Sequence, residues 1–421
     1  MNIKFFLKNK QDFIAAASIF VLSFIFYYLG CKDLLASGFY EKINIAFDLD
    51  QSWYFDTIGR DSTNWLFKTA TDIKPLLIKH PFIYLYHYVV LVMNTIGISN
   101  DMSVILLSQF FHSGSLVISY FIFRSIGLYT LQASFLTFGL AGTSTYIATG
   151  LVLDIYSLSI FWISAIFLIV CKAVYQKYDS PVWLRVGISI MAIGTTSYLI
   201  LLVLMMEFSL AKIGEGKLLG RLSVINLYKQ FSRIFLLGIF IFVLIYFDVL
   251  IEVIKNPVNL LKRVFWAVNR PGEKEGILQV ISVFTMFSVL SPKISNIGLP
   301  EGITMIDLRV MDFSNIGWSV IFIISIFIFL NFKKNNYSGI VFFSLLWIII
   351  NIFFHTVYQY RGSLFLYSGH FILAVWIIYF VPFKNYDNEI VSKIPNRIAI
   401  YIVPLLIWLN NLYLYNKIIS I

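Results

Sequence analysis

Charge is scarce in this chain. Asp, Glu, Lys and Arg supply 13% of its 421 residues, where an ordinary globular domain carries about 25%. Hydrophobic residues supply 59%, more than a water-facing shell can enclose, so a soluble globular fold is excluded. Disorder goes with it, because disordered chains lack the aromatics that here reach 18%. Cysteine is nearly absent. Cys31 and Cys171 make no disulfide framework and no thiolate metal site. On the topology below they stand near opposite faces of a bilayer core about 30 Å thick. A disulfide needs Cα atoms within about 7 Å. There is no Gly-rich phosphate loop, no His-Glu-x-x-His and no repeat at solenoid periods.

What the chain has is unbroken apolar runs. They fall at 13–29, 103–123, 129–148, 154–171, 184–197, 198–211, 234–252, 316–332, 338–354, 363–382 and 398–416. Most have the length a helix needs to cross a bilayer. None shows the alternating polarity of barrel strands. The expected fold is therefore all-α: a polytopic membrane protein with about 11 transmembrane helices and two large external loops. The runs 184–197 and 198–211 are short. They read either as two helices reversing at Thr195-Thr196-Ser197 or as one long tilted helix.

The net charge of +10 follows the positive-inside rule and needs no nucleic-acid partner. With the N-terminus inside, the cytoplasmic segments 1–12, 124–128, 172–183, 212–233, 333–337 and 383–397 hold most of the Lys and Arg outside the two loops. Letting 82–98 span would reverse that bias, so this run is laid along the outer face. It lies within one external loop from 30 to 102. A second external loop, 253–315, carries an amphipathic stretch at 259–270 suited to lying in the interface. The lysine-rich start ahead of the first run reads as a signal-anchor. Residues 1–211 with the first loop form one expected module, and 212–421 with the second loop form another.

Three places could carry chemistry. Asp48, Asp50, Asp56, Arg60 and Asp61 crowd the segment FDLDQSWYFDTIGRD, where a carboxylate could act as general base or share a divalent cation with phosphates. His80-Pro81 opens the run at 82–98, as proline at a first helical turn does. Asp154 opens the fourth run, where its residue type suits an N-cap. His355, Tyr358, Tyr360, Arg361, Tyr367 and His370 gather around one turn. An interfacial aromatic belt accounts for the tyrosines there, but less well for Arg361 and His370, which suit phosphate. Within the apolar runs ionisable residues are scarce, and Glu207, Asp248 and Glu252 are the clear cases.

The acidic motif after the first helix, followed by a Lys/His-Pro step, resembles the GT-C superfamily of integral membrane glycosyltransferases. These include protein mannosyltransferases and lipid A aminoarabinose transferases. Their pattern, Asp-Glu-x-x-Tyr then Lys/His-Pro-Pro, is matched by Asp50-Gln51-Ser52-Trp53-Tyr54 and Lys79-His80-Pro81-Phe82, with Gln51 and Phe82 as departures. The resemblance implies an inverting transferase on the external face of a bacterial plasma membrane. Its donor would be a polyprenyl-phosphate-linked sugar and its acceptor a glycan or lipid, with membrane lipids around it. Asp50, Asp48 or Asp56 would be the base. Arg60, His80, Asp154, Tyr156, Arg309, His355, Tyr360, Arg361 and His370 would bind substrate. The cofactor that this chemistry admits is a divalent cation, magnesium or manganese. Two other classes compete: a surface-polysaccharide polymerase or ligase, which would use Arg263, Arg270 and Arg309, and a lipid-linked sugar transporter or flippase.

Overall fold

The computed structural model describes residues 10–42, 46–47, 51–60, 80–178, 180–215, 221–245, 277–291, 294–298, 304–307, 338–357, 364–381 and 398–421. Its principal helices are α1 (Lys10–Ala36), α2 (Ile83–Thr95), α3 (Asn100–Ser125), α4 (Thr130–Ala141), α5 (Ser144–Leu151), α6 (Ile155–Gln176), α7 (Val182–Thr195), α8 (Ile200–Glu215), α9 (Arg221–Ile245), α10 (Ser338–Val357), α11 (Ile372–Phe380) and α12 (Val403–Ile419). Five helical stretches among the described residues are long and apolar enough to cross a bilayer: Lys10–Ala36, Asn100–Ser125, Ile155–Gln176, Gly339–Thr356 and Ile400–Ile419. They mark the chain as a helical membrane protein. The strands among the described residues form one hairpin, β1 (Ser295–Gly298) antiparallel to β2 (Thr304–Asp307), inside the segment read from sequence as an external loop.

The apolar runs and the helices differ at three places. The run 129–148 is not one helix but α4 and α5, parted at Gly142-Thr143. The run 363–382 begins as a 3-10 turn, Leu364–His370, before α11. Helix α9 starts at Arg221, inside a segment read as a loop, because the apolar residues Leu222, Ile225 and Tyr228 keep helical spacing between its charges. Helix α2 has 13 residues, about 20 Å at 1.5 Å each, which falls short of the roughly 30 Å hydrocarbon core. At 195–197 the chain does leave the helix. Thr196 is extended (φ −147°, ψ 110°) between α7 and a 3-10 turn, Ser197–Leu199. The runs at 316–332 and 259–270, with Asp248 and Glu252, lie outside the described residues.

The chain forms two compact units. The first takes residues 52–108 and 165–271, and the second 2–51, 109–164 and 272–421. Both draw on several stretches of sequence, whereas the expected modules divided the chain at one point.

In the second unit the two ends of the helices are pinned by different chemistry. At one end Asp12 accepts hydrogen bonds from Arg124 Nε (2.7 Å), Arg124 Nη2 (3.0 Å), Tyr120 (2.5 Å) and Thr130 (2.9 Å). The start of α1, the end of α3 and the start of α4 therefore share that end. At the other end the last carbonyls of α5, which have no partner within the helix, accept from side chains. Gly150 O takes Gln109 Nε2 (2.7 Å) and Cys31 Sγ (3.2 Å), and Leu151 O takes the Tyr40 hydroxyl (2.6 Å). Both cysteines are free thiols. Burial, above all, pushes the Tyr40 phenol well above its ordinary pKa, so it stays a neutral donor.

The break between α4 and α5 is closed by the same logic. Backbone freed inside a bilayer must be satisfied by protein. Phe138 O accepts from Trp408 Nε1 (2.7 Å), Ala141 O from Tyr27 (2.6 Å) and Gly142 O from Asn411 Nδ2 (2.7 Å). On the α5 side Ser144 N and Thr145 N donate to Val289 O (3.2 Å) and Ser288 O (3.1 Å). Thr143 caps the new helix by accepting from Tyr146 N (3.3 Å). Gly142 is required, because a Cβ there would stand 2.5 Å from the Trp408 indole.

In the first unit α7, α8 and α9 pack on one another, and α2 packs on the turn Asp56–Arg60. A buried ion pair joins α7 to α8: Arg185 Nε lies 3.8 Å from Glu207 Oε1. Glu207, the intramembrane carboxylate singled out by sequence, thus faces a cation.

Candidate functional site

Three segments far apart in sequence meet in the second unit. Helix α10 brings Trp347 and His355, the 3-10 turn brings Tyr367 and His370, and the start of α6 brings Asp154 and Tyr156. In a 3-10 turn, residues three apart eclipse, so Tyr367 and His370 share a face. His355 stacks on Tyr367 with ring centroids 4.1 Å apart. His370 lies 5.0 Å from the Tyr156 ring, and Tyr156 stands edge-on to Tyr367 at 6.4 Å. Trp347 Nε1 donates to His370 O (2.7 Å), fixing the end of the turn. Phe284 closes the cluster against His355 at 5.5 Å. All of these side chains are buried, His355 to 1% exposure and His370 to 4%. Gly369 of the turn packs beside Ile160 and Tyr156, where a Cβ would stand 3.3 Å and 3.4 Å away, close to ordinary contact.

Asp154 stands just before α6 and is buried. Its Oδ1 accepts from Ile155 N (2.5 Å) and its carbonyl from the Ser157 hydroxyl (2.9 Å). It therefore holds the first turn of the helix that carries Tyr156.

The acidic loop reaches the same turn through an aromatic contact. Phe47 is fully buried and packs on Phe365 with centroids 4.9 Å apart. Four residues on, the buried Gln51 donates from Nε2 to Lys42 O (2.8 Å). Asp48, Asp50, Arg309, Tyr360 and Arg361 lie outside the described residues.

The other predicted residues belong to the first unit. Asp56 is exposed and opens the turn Asp56–Arg60, and the Arg60 side chain lies outside the described residues. The Ile58 carbonyl of that turn accepts from His87 Nδ1 of α2 (2.6 Å). His80 is buried, with Nδ1 2.8 Å from Thr195 O. Phe82 N donates to Gly194 O (2.6 Å). Together they cap the otherwise orphan carbonyls that end α7. The Thr195 hydroxyl donates to Met191 O (2.7 Å), so in the 2.5 Å contact with Tyr86 the tyrosine is the donor. Holding Nδ1 on a carbonyl sets the tautomer of His80. An apolar cavity of about 230 Å³ opens beside this cap, lined by Pro81, Phe82, Ile190, Gly194, Phe231 and Phe235 among others.

No three His, Cys, Asp or Glu side chains converge to hold a metal ion among the described residues. Sequence reasoning missed Phe47, Trp347 and Tyr86. Phe47 and Trp347 are aromatics in an aromatic-rich chain, and their roles rest on partners far away in sequence. Tyr367 was visible through its place between His355 and His370.

No protein-family model matches this chain, and no curated protein matches it.

Proposed function

We propose that the protein is a membrane glycosyltransferase. It moves a sugar from a polyprenyl-phosphate donor to a glycan or lipid acceptor on the external face of a bacterial plasma membrane, with inversion. The observation that carries this reading is the ring cluster of Tyr156, His355, Tyr367 and His370. Three of these residues were singled out from sequence as substrate-binding, and they meet around the turn on which Phe47 packs, with Asp154 at the start of the helix that carries Tyr156. Tyrosine faces suit a sugar ring, and imidazoles can donate to phosphate oxygens.

In the reaction, a carboxylate of the acidic loop, Asp50 or its neighbour Asp48, takes the proton of the acceptor hydroxyl. The acceptor oxygen bonds to the anomeric carbon as the bond from that carbon to the phosphate oxygen breaks. The polyprenyl phosphate leaves with the electron pair, unprotonated. Donors at the phosphate, from His355, His370, Arg361 or Arg309, offset its charge. A divalent cation held by the acidic loop and the phosphate would serve the same end.

The test is deletion of the gene, followed by mass spectrometry of the envelope glycans. Copies of the wild type, Asp50→Asn and His370→Gln are added back. Loss of one sugar unit, restored by the wild type and by neither variant, is the expected result. Intact units with shortened chains would move the assignment to a polymerase, and an unchanged profile would overturn the transferase.

A further inference from the structure

Helix α10 buries polar side chains along one face. Ser344, Trp347, Asn351 and His355 follow one another at steps of three and four residues, so they stand on the same side of the helix. All four are at most 1% exposed. Trp347 and His355 show what that side meets, the 3-10 turn, through His370 O and the Tyr367 ring. Helix α11, which follows the turn, packs on α10 as well.

Two polar atoms of this face have no protein partner: Ser344 Oγ and Asn351 Oδ1. Asn351 Nδ2 is held by Trp347 O (2.8 Å), which fixes the amide with its oxygen outward from that bond. A serine in a helix can turn its hydroxyl onto the carbonyl four residues back. Thr356 of the same helix does so, on Ile352 O (2.7 Å), and Ser344 does not. In the segments packed against α10, Ser368 Oγ of the turn and Trp376 Nε1 of α11 are fully buried and unpartnered too. An orphaned polar atom costs more than the bond it would have made contributes, and lipid offers neither donor nor acceptor. The four differ in kind. The indole N–H only donates, the amide oxygen only accepts, and a hydroxyl does both. A cation cannot satisfy the indole, nor an anion the amide oxygen. Water satisfies all of them.

We infer that the polar face of α10 is a water-binding site: ordered water bonds Ser344 and Asn351 and reaches His355, one helical turn beyond Asn351. From Ser344 to His355 this face is about 16 Å long at 1.5 Å per residue. It brings water to an imidazole that protein otherwise seals. The site stands on α10 and its neighbours alone, so it and the proposed transferase fail separately.

The test is radiolytic labelling of the full-length protein in detergent, since hydroxyl radicals made from bound water mark the side chains beside it. Trp347 should take up oxygen despite its full burial, and Asn351→Leu should lose that label. Ser344→Ala is the second variant should Asn351→Leu fail to fold, and its melting temperature carries a sign. Alanine is the better helix former, and trading a dry orphan hydroxyl for a methyl removes a cost. In a dry seam Ser344→Ala therefore melts above wild type. In a watered seam it melts below, because the water loses a partner. An unlabelled Trp347, or a Ser344→Ala that melts at or above wild type, overturns the water site whatever the protein catalyses. Labelling as expected, in a deletion strain whose sugar unit the wild-type copy does not restore, keeps the water site and removes the transferase.

Discussion

The His355 imidazole lies nearly flat on the Tyr367 ring, with centroids 4.1 Å apart and planes 29° from parallel. The stack joins α10 to the 3-10 turn at the centre of the cluster. It separates what His355 does as a ring from what it does as a pair of nitrogens. His355→Phe keeps the stack and removes the nitrogens. Its melting temperature should stay close to wild type, while transfer falls about 10²-fold, as when one preorganised donor is lost. His355→Ala should lose both, with roughly 3–5 kcal/mol of stability gone as for other buried rings. Thermal melting in detergent and the glycan profile together check this.

Asn411 holds the α4–α5 break through three bonds. Its Nδ2 donates to Gly142 O and Val289 O (2.7 Å each), and its Oδ1 accepts from Ser291 N (2.8 Å). Asn411→Leu strands Gly142 O and Ser291 N, while Val289 O keeps its bond from Ser144 N, and should cost about 2–3 kcal/mol. A melting curve within a degree of wild type would show that the break is held in some other way.

Gly194 meets Phe82 so closely that a Cβ would overlap the ring, at 2.0 Å from its Cδ2. Gly194→Ala should destabilise by about 1–3 kcal/mol through overpacking. Adding Phe82→Ala should recover part of that loss, whereas Phe82→Ala alone destabilises. A double variant that melts below both singles would contradict this contact.

Much of the helical framework was legible because long apolar runs have few other ways to lie in a membrane. The runs 13–29 and 103–123 sit inside α1 and α3, and the Thr195-Thr196-Ser197 step does end a helix. The break at Gly142-Thr143 was not legible. Locally the sequence reads as one apolar stretch, and the side chain that satisfies Gly142 O is 269 residues away. The same division holds at the site. His355 and His370 stand out as polar residues in an apolar chain, so pattern finds them. His80 was also found, but not its cap on Thr195 O, which depends on where α7 ends. Phe47 was not singled out, because its seat on Phe365 depends on a partner far away in sequence.

Asp12 and Arg124 form an ion pair with side chains 15% and 25% exposed. Both side chains are mostly covered and the pair is bidentate, so it is worth more than the roughly 1 kcal/mol of an exposed pair. Asp12→Asn removes the charge and should lower stability by about 1–3 kcal/mol, less at high salt. A loss of several kcal/mol would mean that the Tyr120 and Thr130 hydroxyls, which also donate to Asp12, depend on its charge for the packing of α1 on α3 and α4.

The most direct measurement is of the donor itself. Lipid extracts of the deletion strain, complemented with wild type, His370→Gln or nothing, are analysed by mass spectrometry for polyprenyl-phosphate-linked sugars. The account predicts one such species that accumulates in the deletion and in His370→Gln and returns to its basal level with wild type. Identical lipid-linked pools in all three strains would contradict it.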